Sequence, residues 1–421
     1  MKQLTQQLTS LLLAILLAQT SFAQDTTQKI VEGRKNDPSQ YQKPYVILIS
    51  ADGFRADFTE LYNAHFLKSL SDKGVRAQFM TPSFPSLTFP NHYSIVTGMY
   101  PSHHGLVDNT YYDKTSGLEY RMGNKQMVGE GKWYGGTPLW VLAEKQKMLS
   151  ASFYWVASEA AIQNTRPTYY YVYNEKIEIG ARIKAVKDWL SLPEEQRPHI
   201  ITFYFPQVDH EAHTYGPNDE HVAEAVHLID SSVNALQNEL ASLHSPINYI
   251  FVSDHGMTKV DNEHTLGLPN AIDTNSFRVP WGDALLHLYA KDASKIQPTY
   301  EALKKDSSIT VYKLDETPHY WHYATKDDKY NRLGDLIVVP HSPKVFNLST
   351  RKTTPGKHGF DNHTVDMRAS FMAWGPAFKQ GMIIDDFENV NIYPLVAHIL
   401  GLKIDEKQID GKLTVLKKTL R

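Results

Sequence analysis

The chain has 421 residues, with 43 Lys+Arg against 46 Asp+Glu, 19 His and no Cys. A formal charge of −3 gives no polycationic surface, which excludes a stable nucleic-acid complex held by nonspecific charge. Hydrophobic residues make up 42% and charged residues 21%, a globular rather than disordered composition, and the lack of cysteine excludes disulfides, thiolate metal sites and thiol catalysis. Any metal must therefore be held by His, Asp and Glu.

The first 23 residues read as a secretory signal peptide rather than as part of the fold. Lys2 supplies a positive start, Leu11–Leu17 a short apolar run, and Ser21-Phe22-Ala23 small residues for cleavage before Gln24. That run is too short for a lasting membrane span, and no later run approaches 18 apolar residues, so an exported, soluble mature chain is expected. Export and the absence of cysteine fit a periplasm, where a stray thiol is a liability. Residues 24–42 are polar and read as a linker. Residues 43–421 exceed the roughly 250–300 at which single cores stop growing, so one large α/β unit with an insertion is expected. There is no repeat of 20–50 residues, no P-loop and no Gly-x-Gly-x-x-Gly.

Three short apolar runs share one design. Tyr45–Ser50 leads into Asp52, Ile200–Phe205 into Asp209, and Tyr249–Ser253 into Asp254. Continuous β-branched and aromatic runs of this length suit strands buried on both faces of a helix-covered sheet. Between them, Val222, Val226, Ile229, Val233, Leu236 and Leu240 form a helical apolar stripe, with Pro217-Asn218 as a breaker before it. Three aspartates thus fall past the carboxyl ends of three strands, where open α/β sheets bind ligands. A single strand-end Asp more often caps a turn; three together, two of them beside histidines, favour a site. In Asp209-His210-Glu211-Ala212-His213, a carboxylate and an imidazole four apart share one side of a helical turn. Asp254-His255 is an adjacent pair, and His358 sits in a glycine-flanked loop before the expected strand Ser370–Trp374. Such oxygen and nitrogen donors suit zinc better than manganese or iron.

In residues 80–100 three prolines break the chain until Pro90, which is placed to be the first residue of a helix over Asn91–Val96. Thr88 would then lie just before a helix N-terminus, where free N–H groups attract phosphate and a nearby metal can ionise a hydroxyl. Ser83 and Ser86 are competing nucleophiles, and a proline-rich loop whose hydroxyls merely cap turns is the plainer reading.

The stretches ILISADGFR (47–55), TPSFPSLTFPNHYSIVTGMYPSHHGLVDNTYYD (81–113), LWVLAEKQ (139–146), FPQVDHEAHTYGP (205–217), VSDHGM (252–257) and KHGFDN (357–362) make the resemblance specific. The chain resembles a bacterial member of the nucleotide pyrophosphatase/phosphodiesterase family, in the alkaline phosphatase superfamily, from about residue 44 to the C-terminus. The resemblance implies an alkaline-phosphatase-like α/β fold: a mixed, mostly parallel central sheet flanked by helices, with a smaller inserted subdomain, placed here at residues 265–350. It implies two Zn²⁺. Asp52, Thr88, Asp254 and His255 match the ligands of one, with Thr88 also the nucleophile, and Asp209, His213 and His358 match the ligands of the other. Asn109 matches a residue that binds a nonbridging phosphate oxygen, and Phe89 and Tyr173 match the aromatic pair that sandwiches a nucleotide base. Two departures stand out: Ala212 where the family has Gly, and Trp155-Val156-Ala157-Ser158-Glu159 where it has Trp-Pro-Gly-Ser-Glu. Two Zn²⁺ against three aspartates leave a positive residue of charge that favours a threonine alkoxide and an anionic phosphoryl group.

The implied activity is hydrolysis of phosphodiester or pyrophosphate bonds of nucleotides, without an obligate protein partner. Ser83-Phe84-Pro85-Ser86-Leu87 lacks the arginine of a sulfatase motif. A threonine-dependent monoesterase would use the same ligands but needs an added cation, for which Arg166 is the candidate. A phospholipid-headgroup diesterase is a further alternative, and a noncatalytic binding protein would be expected to have lost ligands that this chain keeps. His103 and His104 are read as shaping the loop to Asn109, and His363 as a surface residue or a support to the ligands.

Overall fold

The structure, a computed structural model, describes residues 25–421, so the expected signal peptide lies outside the described residues. The apolar runs form strands of a nine-stranded sheet: β1 (Lys29–Ile30), β2 (Tyr45–Ala51), β3 (Val75–Ala77), β4 (Ser150–Phe153), β5 (Tyr169–Tyr171), β6 (Ile200–Phe205), β7 (Ile247–Val252), β8 (Phe371–Trp374) and β9 (Met382–Ile384). Side by side, the order is β1-β5-β4-β6-β2-β7-β8-β3-β9. Strands β5, β4, β6, β2 and β7 run parallel, as do β3 and β9; β8 is antiparallel to both its neighbours and β1 to β5.

Along β2, Val46 and Leu48 enter one core layer while Tyr45, Ile47 and Ile49 enter the other. Both faces are covered, which is why the run lacks polar alternation. Helix α1 (Thr88–Thr97) packs Ile95 and Val96 into the first layer. Helices α2 (Gln207–Tyr215) and α3 (Glu220–Ala241) cover the second, α3 through its Val222-to-Leu240 stripe. Asp219 caps α3 by accepting from the His221 N–H.

Three expectations need correction. Residues 24–42 are not a free linker over the part described: β1 is the sheet's edge strand, and buried Asn36 donates to the Glu194 and Arg197 carbonyls and accepts from the Leu149 N–H. Backbone and amide hydrogen bonds, rather than apolar side chains, hold this polar segment. Helix α1 begins at Thr88 and not at Pro90. Proline is tolerated anywhere in a first turn, because those N–H groups have no acceptor within the helix. The strand read at Ser370 begins at Phe371.

Within residues 265–350, Phe277–Arg278, Leu286–Ala290, Leu336–Pro340 and Ile309–Lys313 pair in that order as a separate antiparallel sheet. Ile272, Phe277, Leu288 and Leu336 give it a core of its own. It is nevertheless tied to the main body. Trp321, Tyr323 and Leu333 join the main core, and Trp321 stacks on Phe84 at 3.8 Å between ring centroids.

Candidate active site

Strands β6, β2 and β7 are adjacent and parallel, with Ser50 level with both Tyr204 and Val252. Their carboxyl ends therefore bring Asp52, Asp209 and Asp254 to one place. At the turn after Asp52, Gly53 has φ 67°, and a Cβ there would come within 3.1 Å of Asp209 Cα. Glycine is what allows these two segments to close on each other. His213 lies one turn along α2 from Asp209, its Nε2 3.4 Å from Asp209 Oδ1. His358 Nε2 is 3.1 Å from His213 Nε2 and 3.6 Å from Asp209 Oδ1. His255 Nε2 is 3.0 Å from Asp254 Oδ2, 3.4 Å from Asp52 Oδ1 and 3.1 Å from Thr88 Oγ1. The residues named from the resemblance as ligands thus stand together, and His255 reaches into both groups.

The chemistry of these donors fits a cation. Nδ1 of His213, His255 and His358 lies 2.8 Å from the carbonyls of Gly356, Gly256 and Ser86 respectively. A carbonyl can only accept, so Nδ1 carries the proton and Nε2 presents a lone pair in the neutral ring. Two such lone pairs, on His213 and His358, converge at 3.1 Å. Asp52 Oδ1, Asp209 Oδ1 and Asp254 Oδ2 are buried without a hydrogen-bond partner. Buried acceptors of this kind are costly unless a metal or a proton meets them. Burial, with Asp254 and Asp209 adding to it, pushes the Asp52 carboxyl well above the usual range. Burial also lowers His358 well below an ordinary imidazole, and His255 and His213 lower it further, keeping it neutral and ready to ligate.

Thr88 is the first residue of α1, after Leu87, which has no side-chain cap to offer. The Phe89 N–H donates to Asn109 Oδ1 at 3.1 Å, leaving the Asn109 Nδ2 free to donate. Of the competing hydroxyls, Ser83 Oγ donates to Asn389 Oδ1 at 2.8 Å and Ser86 Oγ is buried without a partner; Thr88 alone of the three lies against a donor imidazole and lines the adjoining cavity. That cavity, about 320 Å³, is lined by Phe89 and Tyr173 together with Asp52, Thr88 and Asp209. Tyr173 is 39% exposed and packs edge-on against Tyr154 and Tyr204. Trp155 to Glu159 form one wall; Ala157 holds φ 72°, a left-handed conformation that costs a residue with a Cβ about 1–2 kcal/mol. Arg166 donates to the Glu159 carbonyl and does not line this cavity.

Two supporting residues went unread in the sequence. His92, fully buried one turn after Thr88 on α1, bonds Ser50 Oγ at 2.8 Å and the Thr88 carbonyl at 3.0 Å, with Asp254 Oδ2 3.1 Å away. Its spacing of four from Thr88 was the available signal. Tyr204 donates from its hydroxyl to Asp52 Oδ2 at 2.5 Å. Its polar end on an otherwise apolar strand was the hint. His103 instead pairs with Asp410, His104 with Ser94 Oγ, and exposed His363 stacks on Tyr320.

Fold and donor set define an α/β protein with a buried cluster of candidate cation ligands beside a positioned hydroxyl. The chain belongs to the type I phosphodiesterase / nucleotide pyrophosphatase family, whose model matches residues 46–361. It is 34% identical over 386 residues to rat ectonucleotide pyrophosphatase/phosphodiesterase family member 1, covering 87% of this chain and 42% of that one. It is 32% identical over 380 residues to venom phosphodiesterase of Macrovipera lebetinus, covering 87% and 44% respectively. The chain therefore spans less than half the length of these relatives. Murine ectonucleotide pyrophosphatase/phosphodiesterase 5 superimposes with a TM-score of 0.83 at 25% identity, over 90% of this chain and 100% of that one.

Proposed function

We propose that the protein is an exported two-zinc phosphodiesterase and nucleotide pyrophosphatase that releases nucleoside monophosphates through a covalent intermediate on Thr88. The observation that carries the reading is the Thr88 hydroxyl 3.1 Å from His255 Nε2, between the donor cluster and the aromatic cavity. Family membership supports the reaction class, and Leu11–Leu17 ahead of Ala23 supports export.

Asp52, Asp254, His255 and Thr88 would hold one Zn²⁺ and Asp209, His213 and His358 the other. Bound there, the pair supplies positive charge to an ionised hydroxyl, to the phosphoryl oxygens and to the leaving oxygen. The chain's own residues do the rest. Phe89 and Tyr173 hold the base, and Asn109 donates to a nonbridging oxygen. The Thr88 hydroxyl gives up its proton and Oγ1 bonds to phosphorus as the bond to the leaving oxygen breaks. That oxygen departs with a proton taken from solvent, which has received the one Thr88 released. A water then adds to phosphorus from the vacated side, the bond to Oγ1 breaks, and Thr88 recovers its proton.

Thr88→Ala should retain bound zinc yet lose about a thousandfold or more in turnover of bis-p-nitrophenyl phosphate and ATP. Near-normal turnover in this variant, or a large wild-type preference for the p-nitrophenyl monoester, overturns the reading.

A further inference from the structure

Asn109 is held at two points. The Phe89 N–H at the start of α1 donates to its Oδ1, which fixes the tip of the side chain. The backbone is fixed separately: Asp108 Oδ1 accepts from the Thr110 N–H at 3.0 Å and so closes a turn over Asn109.

The inserted segment, residues 265–350, grips the chain on both sides of this turn. Buried Arg332 donates to the Gly105 carbonyl at 2.8 Å and to Asp113 Oδ2 at 2.9 Å. The Tyr323 hydroxyl donates to the Val107 carbonyl. His287, on the strand Leu286–Ala290, brings its Nε2 to 3.7 Å from Asp108 Oδ2. The catalytic reading given above leaves the inserted segment without a task, yet its buried polar side chains converge on the residues flanking Asn109.

His287 has the chemistry of a directed donor. Its Nδ1 accepts from the Gly334 N–H at 3.1 Å, so in the neutral ring Nε2 carries the proton. Burial, with Lys114 adding to it, lowers the imidazole to about 3 and keeps the ring neutral. Nε2 is buried and has no hydrogen-bond partner among the described residues. A buried N–H without an acceptor is costly, and a carboxyl oxygen accepts whether or not it is ionised. The 3.7 Å to Asp108 exceeds a hydrogen bond, but polar contacts of catalytic sites commonly tighten only once substrate is bound. Closing it leaves the bond to Thr110 intact, because the two contacts use different oxygens of Asp108.

We propose that His287 is a positioning residue: through Asp108 it fixes the turn that aims the Asn109 amide at the nonbridging phosphate oxygen. The inserted segment is then a support for phosphate binding. The inference rests on the phosphodiesterase reading and extends it to a side chain outside the aromatic cavity.

Two amide substitutions separate the two contacts of His287. Glutamine carries its amide nitrogen where Nε2 stands and can donate to Asp108. Asparagine carries its amide oxygen where Nδ1 stands, so it can accept from Gly334 but falls short of Asp108. On the zinc-loaded full chain with bis-p-nitrophenyl phosphate, Asn109→Ala should lower kcat/KM about a hundredfold. His287→Asn should lower it about tenfold, and His287→Gln should stay within about threefold of wild type. In the Asn109→Ala background, His287→Asn should cost less than about twofold more, since the amide it aims is gone. Asp108→Asn keeps an acceptor for Thr110 but sets an amide N–H against that of His287, and should reproduce the loss of about tenfold. It gives the same answer where His287→Asn does not fold.

A loss in His287→Asn that persists in full without Asn109, or that glutamine does not restore, overturns the positioning role while the phosphodiesterase reading stands. Turnover unchanged in both His287→Asn and Asp108→Asn does the same, as does an Asn109→Ala variant as active as wild type. Wild-type protein without diester activity overturns both.

Discussion

Each imidazole of the donor cluster is held in one tautomer by a backbone carbonyl, so ligand orientation is built into the chain rather than left to the metal. The carboxylates are held less uniformly. Asp52 takes one hydrogen bond from Tyr204 and leaves its other oxygen to the site. Tyr204→Phe keeps the ring, and with it the packing against His92 at 5.2 Å, while freeing the second oxygen of Asp52. Zinc affinity should fall about tenfold or more, as read by competition with a chromophoric chelator, with little change in thermal stability. Unchanged affinity would strip Tyr204 of this role. The aspartates were legible in the sequence because each ends an apolar run, and His213 because it lies four residues from Asp209. His92 and Tyr204 left only faint hints, since their contacts with Ser50, Asp254 and Asp52 form only across helix and sheet or between neighbouring strands.

Between elements, the site depends on backbone contacts that side-chain patterns do not report. Gly356 sits against the last turns of α2, where a Cβ would come within 1.9 Å of the Ala212 carbonyl oxygen and 3.2 Å of His213 Cα. The Gly356 carbonyl is also the acceptor for His213 Nδ1. Gly356 therefore both places α2 and sets the tautomer of its histidine. In Gly356→Ala the overlap with the carbonyl can be relieved only by moving one backbone or the other. We expect one of two zinc equivalents to weaken about tenfold or more while the other is retained, measured by isothermal titration. Loss of both together, or of neither, would contradict this division of the cluster. The methyl group of Ala212 is absorbed by the second core layer. The start of α1 was misread for a related reason: Pro90 marks a first turn but not its first residue, so Thr88 is inside the helix it was expected to precede. The strands and α3 were legible nearly to the residue because burial on one or both faces leaves a period in the sequence. The edge strand at Lys29–Ile30, held by pairing rather than burial, left none.

For the molecule as a whole, the cluster couples stability to metal and to pH. Three aspartates converge within a chain whose formal charge is only −3, so the cost is local rather than a matter of net charge. Without a cation, protons must relieve it. Burial and the neighbouring Asp254 and Asp209 raise Asp52 well above its ordinary 3.8. Burial pulls His255 down, but Asp254 outweighs it and raises the imidazole above its ordinary 6.5. Both groups then bind protons more tightly folded than unfolded, so the stability they contribute is full at low pH and is lost as pH rises through the raised values. Asp254 is raised by burial but lowered further by His255 and His92, to well below 3.8; its contribution is lost only in acid and is constant at neutral pH and above. Zinc held as proposed would take the place of these protons, so the loaded protein would escape the decline. At free zinc a thousandfold above its dissociation constant, each site adds about 4 kcal/mol. The melting temperature should therefore fall on chelation, recover with two equivalents of zinc, and show a gap between loaded and chelated protein that widens from about pH 6 to about pH 9. Asp108, raised to about 8 by its own burial, weakens both forms alike over this range and drops out of the difference. Calorimetry of loaded and chelated protein across that range decides the matter. A gap that is absent, or that narrows as pH rises, would mean that the buried carboxylates are not balanced by a metal.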